Sequence, residues 1–342
     1  MTNVNQLQRS FDEIVEMIQT SRQRAFHAVN TTLIDLYWHI GLHICLCIAK
    51  DGWGKGTVSA LAAHIARHYP GLRGFSPQNL WRMRQFYETY KEAPELSTLL
   101  RELPWSAHLH ILSKTKHQEE RAFYLCMATR SGWHVREVAR QIEGGLFERT
   151  VLNPPKLSTA LRELHPAAET VFRDTYLFDF LGLPTPHSER DLHRALIRNL
   201  SRFITELGPD FCYIGSEYPL QVGGKDFALD LLFFHRGLNC LVAIELKVGE
   251  FQPEHLGKLE FYLEALDRDV KKPHEQPSIG VLLCAGKDSE VVEYALSRSL
   301  SPTLIAEYQT YLPDKRLLQS KLHEFYQLLL QPESSSKESP AQ

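Results

Sequence analysis

The hydrophobic rhythm of the chain changes once, after its midpoint. From about residue 5 to 145, apolar residues recur at three- and four-residue spacing, as in "FDEIVEMIQTSRQRAFHAVNTTLIDLYWHIGLHICLCIAK", which predicts helices. "DGWGKGT" breaks that pattern; it lacks the glycine–lysine spacing of a phosphate loop and reads as a connector. "TVSALAAHIARHYPGLRGFSPQNLWRMRQFYETY" predicts a helix, a turn with Pro70, Gly71 and Gly74, and a second helix. Ser76 suits the N-cap of that second helix, and Pro77 its first position. Further helices are expected at "SAHLHILSK" and "QEERAFYLCMATRSGWHVREVARQIEGG".

"ERTVLNPPKLST" and "YLFDFLGLPTPHSERD" lose the period and read as connectors. From about residue 188 helical and two-residue periods alternate. "SERDLHRALIRNLSRFITELG" is an amphipathic helix, "FCYIGSEYPLQV", "KDFALDLLFFH" and "NCLVAIELKVG" are strands, and "PEHLGKLEFYLEALDRDV" is a helix. "SIGVLLCAG", "SEVVEYALSRS" and "TLIAEY" add a strand, a helix and a last strand. The order α-β-β-β-α-β-α-β predicts a mixed sheet flanked by helices, an α/β core in a chain that is α+β overall. The domain expectation is helical 1–150, linker 151–187, sheet domain 188–330 and a polar, disordered tail 331–342.

Length and composition fit two domains: 342 residues, 43% hydrophobic and 23% charged. The net charge of −3 conceals an asymmetry. Residues 1–150 hold 18 Lys and Arg against 14 Asp and Glu, so the helical half is the expected surface for a polyanion. No run of 18 apolar residues stands out, and the N-terminus lacks the basic and apolar regions of a signal peptide. The expectation is therefore a cytoplasmic protein with no membrane partner. Six scattered cysteines fit reduced thiols rather than disulfides.

The strand pair "LDLLFFHRGLNCLVAIELK" raises a physical problem, because it holds Asp230, Glu245 and Lys247 within apolar runs. Alternation puts Ala228, Asp230, Leu232 and Phe234 on one face of the first strand, and Leu241, Ala243, Glu245 and Lys247 on one face of the second. A hairpin centred between Gly237 and Leu238 sets Asp230 directly across from Glu245. Two carboxylates ~5 Å apart repel. A divalent cation removes that repulsion, since Mg²⁺ takes one or two carboxylates and keeps waters for its other positions. Lys247, two residues on, is placed to orient a water or to stabilise developing negative charge. A bare cross-strand ion pair between Asp230 and Lys247 is the simpler alternative.

These residues resemble the PD-(D/E)xK nuclease superfamily, and "DLLFFHRGLNCLVAIELKVGEFQPEHLGKLEFYLEALD" resembles its YhcG-like nucleases in particular. "LYWHIG", "SPQNLWRMRQFY", "LPW" and "PSIGVLLC" extend the resemblance over nearly the whole chain. It implies a restriction-endonuclease-like core of α-β-β-β-α-β order behind a helical domain. It also implies phosphodiester hydrolysis with Mg²⁺ or Mn²⁺, with Asp230 and Glu245 as metal ligands and Lys247 as the third catalytic residue. Where relatives carry a Gln-x-x-x-Tyr pair, this chain has Lys258 and Tyr262, expected to contact substrate. Two positions depart: His193 stands where the first helix often supplies an acid, and Ser216–Glu217 replace an Arg–Gln pair. Glu217 is a candidate extra ligand. A nuclease-like fold that binds nucleic acid without turnover is the alternative function.

Other constellations carry less. His39, His43 and Cys47, spaced four apart, read as core packing rather than as a zinc site, which takes four ligands. Arg73, Asn79, Arg82 and Gln85 on the helix–turn–helix are candidate nucleic-acid contacts, since such side chains read base edges and phosphates. Trp53, Trp81 and Trp105 read as core. The expected partner is nucleic acid, DNA before RNA, with a homodimer where two cuts need two sites.

Overall fold

A computed structural model of the chain describes residues 2–184 and 186–330, with side chains assigned for 11–184 and 186–327. The expected tail, 331–342, lies outside the described residues. The chain divides into two compact units, Met1–Ile142 and Glu143–Gln342.

The first unit is helical: α1 (Thr2–Asp51), α2 (Lys55–His68), α3 (Pro77–Tyr90), α4 (Ser97–Glu102), α5 (Trp105–Lys114), α6 (Gln118–Arg130) and α7 (Val135–Glu143). The cap of α3 forms as its sequence predicts, with Ser76 accepting from the Asn79 amide at 3.2 Å and Pro77 in the first turn. Tyr37 and Ile44 of α1 pack with Val58, Ala62, Leu80 and Met83, and the three tryptophans close around that cluster. Helices α1 and α3 cross at Gly41. A Cβ there would lie inside contact distance of the Met83 carbonyl oxygen and 2.9 Å from Tyr87 Cβ.

Two expectations about α1 change. Within Phe11–Asp51 a window of mean hydropathy 1.5 makes the helix long and apolar enough, by length and composition, to cross a membrane; 22% of that window is buried. His39 and His43 are exposed rather than packed in the core, with Nδ1 of His39 on the Asp35 carbonyl and Nε2 of His43 3.6 Å from Cys47 Sγ.

The second unit opens with α8 (Leu146–Leu152), α9 (Thr159–Leu164) and α10 (Ala168–Val171), then β1 (Thr175–Leu177), α11 (Glu189–Arg198) and α12 (Leu200–Leu207). Next come β2 (Phe211–Val222), β3 (Lys225–His235), β4 (Cys240–Glu250), α13 (His255–Ala265), β5 (Gln276–Gly286), α14 (Ser289–Ser297), β6 (Thr303–Gln309) and α15 (Lys315–Leu330). The strands form one mixed sheet in the order β1-β6-β5-β4-β3-β2. β1, β6, β5 and β4 run parallel, and β3 and β2 antiparallel.

The segment expected as a linker, 151–187, is part of this unit. β1 adds an edge strand beside β6, and Leu157, Leu161, Phe172, Tyr176 and Phe178 are core residues. A three-residue strand is too short to show a period, and its backbone bonds come from distant β6. The single helix expected over 188–208 is two helices, broken at Asn199, whose φ of −112° leaves the helical region.

Each face of the sheet is covered. Leu231, Phe233, Val242, Ile244 and Leu246 pack with Leu192 and Leu196 of α11 and Phe203 of α12. Leu232, Leu241 and Ala243 pack on the other face with Leu256, Leu259 and Leu263 of α13. Leu229, expected beside Leu231, joins this second cluster, so the alternation of β3 slips at Asp230. Gly280 of β5 lets α13 lie close, because a Cβ there would meet the Leu259 and Leu263 side chains at 2.9–3.0 Å. That approach sets the height of α13 over β4.

Gly41→Ala should therefore destabilise by about 1–3 kcal/mol, because the clash is with backbone rather than a movable side chain. Gly56→Ala, in a helix with nothing within 4 Å, should instead stabilise by about 0.5–1 kcal/mol. Denaturant melts of the two variants check this; equal shifts would mean that α1 and α3 do not depend on the close crossing.

Candidate active site

The β3–β4 hairpin pairs in the register expected from its sequence, from His235↔Cys240 to Leu231↔Ile244. One step further the ladder gives way to side chains. The Asp230 amide donates to Glu245 Oε1 at 3.4 Å, and the Leu246 amide donates to Asp230 Oδ2 at 2.9 Å. The two carboxylates thus meet where the strands part, each tied to the other strand's backbone.

Glu245 is buried, with 1% of its side chain exposed. Burial and the neighbouring Asp230 charge push its carboxyl above the usual carboxylate range. Lys258, from α13, pulls the other way, with its Nζ 2.8 Å from Glu245 Oε2. Burial favours the neutral form of Lys258, but its bond to Glu245 outweighs this and holds the amine above its ordinary value. Lysine cannot replace glutamine as a ligand, and here its ammonium meets the candidate ligand while its side chain stays half exposed.

Lys247 turns to α11, where its Nζ lies 3.1 Å from Glu189 Oε1. The Asp230–Lys247 ion pair of the simpler reading does not form among the described residues; each lysine has found a different carboxylate. His193 sits one turn after Glu189 and sets its Nε2 3.3 Å from the Asp230 carbonyl oxygen. The first helix therefore does bring an acid to the site, four residues before the position where one was sought. Residues at i and i+4 share a helix face, so "SERDLH" carried that signal.

The remaining expected site residues separate. Tyr262 is buried, and its hydroxyl donates to the Ala228 carbonyl at 3.0 Å, so it braces α13 on β3. Its ring lies 5.2 Å beneath the Lys258 ammonium. Glu217 falls between the pairs Ser216↔Leu231 and Tyr218↔Leu229, abreast of Asp230 on the next strand. It is exposed and has a φ of +46°, which β-strand residues rarely adopt. In the first unit Asn79 is committed to the fold, its amide donating to the Gly74 carbonyl and its oxygen accepting from Trp105 Nε1 at 2.9 Å. Arg73 and Gln85 are exposed and Arg82 is half-buried.

Two tests bear on a cation. The donor set fits one: Glu245 and Asp230 offer hard oxygens, and an ammonium already stands against the buried carboxylate. Among the described residues no group of three or more His, Cys, Asp or Glu is placed to hold a metal; this cluster brings together two carboxylates, Asp230 and Glu245. A separate cavity, about 810 Å³, shares no residue with this cluster. Its lysines are already engaged, Lys156 with Glu293 at 3.0 Å and Lys287 with Asp174.

Comparison with known proteins identifies the family. Residues 169–323 match the family model "YhcG PDDEXK nuclease domain", and residues 13–149 match the "DUF1016 N-terminal domain". The curated "Putative nuclease YhcG" of Escherichia coli (strain K12) is 32% identical, over 92% of this chain and 93% of its own length. Among solved structures, a repair endonuclease from Pyrococcus abyssi covers 39% of this chain and 50% of its own, at 16% identity and a TM-score of 0.25. EndoMS in apo form covers 39% and 49%, at 16% identity and a TM-score of 0.24. With a helical DUF1016 domain ahead of a PDDEXK sheet domain, and homology along almost its entire length, the chain belongs to the YhcG family of PDDEXK nucleases.

Proposed function

We propose that the protein is a divalent-metal nuclease that hydrolyses phosphodiester bonds of DNA, with Asp230, Glu245 and Lys247 as its catalytic residues. One observation carries the reading: a buried carboxylate, Glu245, held beside Asp230 at the point where β3 and β4 part. Two carboxylates this close, one of them buried, are costly even with the Lys258 ammonium beside them, and a divalent cation would offset the repulsion that the lysine leaves. Asp230 and Glu245 are the residues that would hold Mg²⁺ or Mn²⁺. When bound, the ion polarises the phosphate and lowers the pKa of an attacking water. Asp230 keeps its orientation through the Leu246 amide, which fixes one oxygen and leaves the other for a ligand. Lys247 supplies a positive charge at the same edge, and Glu189 holds that ammonium in position until a phosphate competes for it.

The helical unit is our assignment for docking the nucleic acid. Arg73, Arg82 and Gln85 remain candidates there, whereas Asn79 is spent on Gly74 and Trp105. Cleaving both strands of a duplex takes two such sites, which supports a second copy of the chain as the further partner.

Asp230→Asn and Lys247→Ala separate catalysis from folding. Both should abolish cleavage of labelled DNA in Mg²⁺, and only Asp230→Asn should lose metal binding by calorimetry. Cleavage by either variant at the wild-type rate would sink the assignment.

The Glu245 shift gives a pH signature in EDTA. Its folded pKa is raised, so its protonated form favours the fold. That stability is present at low pH and is lost as pH rises from the ordinary carboxylate range through the raised value. Thermal melts of Glu245→Gln should lack this decline, and saturating Mg²⁺ should remove it from the wild type. A wild-type profile that rises over that interval, with Glu245→Gln unchanged, would mean that the buried acid is fully compensated without metal.

Charge reversal of Arg73 and Arg82 should weaken DNA binding about equally for all sequences. It should also reduce the slope of log K against log salt by roughly one for each phosphate no longer neutralised. An unchanged slope would remove the helical unit from the interface.

A further inference from the structure

Both oxygens of Glu245 are engaged without metal. Oε1 accepts from the Asp230 amide at 3.4 Å, and Oε2 accepts from Lys258 at 2.8 Å. The two ends of the Lys258–Glu245 pair sit in different surroundings, since the carboxylate is 1% exposed and the lysine side chain 48% exposed. The acid is fixed by the strand that carries it. The amine reaches it from α13 and has solvent beside it, so it can withdraw at little cost in hydration. Its ammonium also lies 5.2 Å over the Tyr262 ring, which is itself anchored on the Ala228 carbonyl, so the helix that carries the lysine stays tied to β3 when that head moves. The second lysine does not compete for this acid, because Lys247 is held at 3.1 Å by Glu189.

We propose that Lys258 is a resident counter-ion of the metal site: it neutralises Glu245 when no metal is bound, the incoming divalent cation displaces it, and the freed ammonium then serves the phosphate backbone. A divalent cation on Glu245 competes with the Lys258 ammonium for the same carboxylate charge and repels it at short range, so metal binding weakens the Lys258–Glu245 pair. The exchange conserves local charge balance. The site without metal avoids a bare buried anion, and the loaded site has a positive side chain released at its rim. Displacing the lysine lowers metal affinity, and a phosphate that captures the released ammonium restores it. Metal and nucleic acid therefore bind with positive coupling through one side chain, and that coupling is reciprocal.

This inference rests on the metal-dependent reading above, and calorimetry with Mn²⁺ alone, without nucleic acid, tests the two separately. The variants are Lys258→Met, which keeps the stem and removes the charge, Lys258→Arg, which keeps the charge, and Asp230→Asn. Lys258→Met should bind Mn²⁺ between about 5- and 150-fold tighter than wild type, the usual span of such couplings. Lys258→Arg should stay near wild type, and Lys258→Met should melt lower than wild type in EDTA and lose that deficit in saturating Mn²⁺. A second readout needs no variant: acetylation of Lys258 by an amine-reactive ester, mapped by mass spectrometry, should rise when Mg²⁺ is added. If Asp230→Asn abolishes Mn²⁺ binding while Lys258→Met binds no tighter than wild type, the counter-ion idea fails and the metal site stands. If neither wild type nor Lys258→Met binds millimolar Mn²⁺, both fail. Labelling of Lys258 that does not change with bound metal also overturns the exchange.

Discussion

The sheet domain is organised around one unfavourable placement, the carboxylate of Glu245 buried between β4 and α13. A bare charge in such a place is costly, and the neighbouring Asp230 adds repulsion. The surrounding hydrogen bonds reduce that cost. The Asp230 amide turns from the ladder towards Glu245, and the Leu246 amide turns towards Asp230. Lys258 brings a compensating charge from above. What these partners leave over appears as the raised pKa of Glu245, which burial causes first and the Asp230 charge second.

That buried acid constrains the framework. α13 must lie low enough for a lysine to reach Oε2, and Gly280 gives the helix that height by presenting no side chain beneath Leu259 and Leu263. Tyr262 adds a polar tie to β3. On the opposite face α11 approaches the same edge, where Glu189 takes Lys247 and His193 takes the Asp230 carbonyl. The two helices hold the two lysines apart, each on its own carboxylate. The loss of alternation at Asp230 fits this geometry, since the strand turns where its pairing changes from backbone to side chain.

The helical unit is built by different means. Its stability comes from aromatic and aliphatic packing, with Tyr37, Phe86 and Trp105 in ring contact and Gly41 letting two helices touch at backbone distance. The family match spans both units, and membership in the YhcG nucleases accounts for the combination of a helical DUF1016 domain with a PDDEXK sheet.

Local rules determined a large share of this. Period-two runs set β2 and β3 to the residue, Ser76 and Pro77 set the start of α3, and the "RGLN" turn set the register that places Asp230 beside Glu245. Those features depend on neighbours within a few residues or across one tight turn, which is the range over which hydrophobic period and capping chemistry act. β1 was not legible, because three residues show no period and their partner is β6, more than a hundred residues on. The roles of Lys258, Tyr262 and Glu189 were not legible either. Spacing identified Lys258 and Tyr262 as neighbours on a helix, but only the packing of α13 against β3 and β4 decided that one meets the buried acid and the other a backbone carbonyl. Glu189 lay in plain sight as a first-turn acid, and only the approach of α11 to β4 assigned it to Lys247. Side-chain partners across the sheet are chosen by the distance between whole elements, and that distance is set by the packed core rather than by any local stretch of sequence.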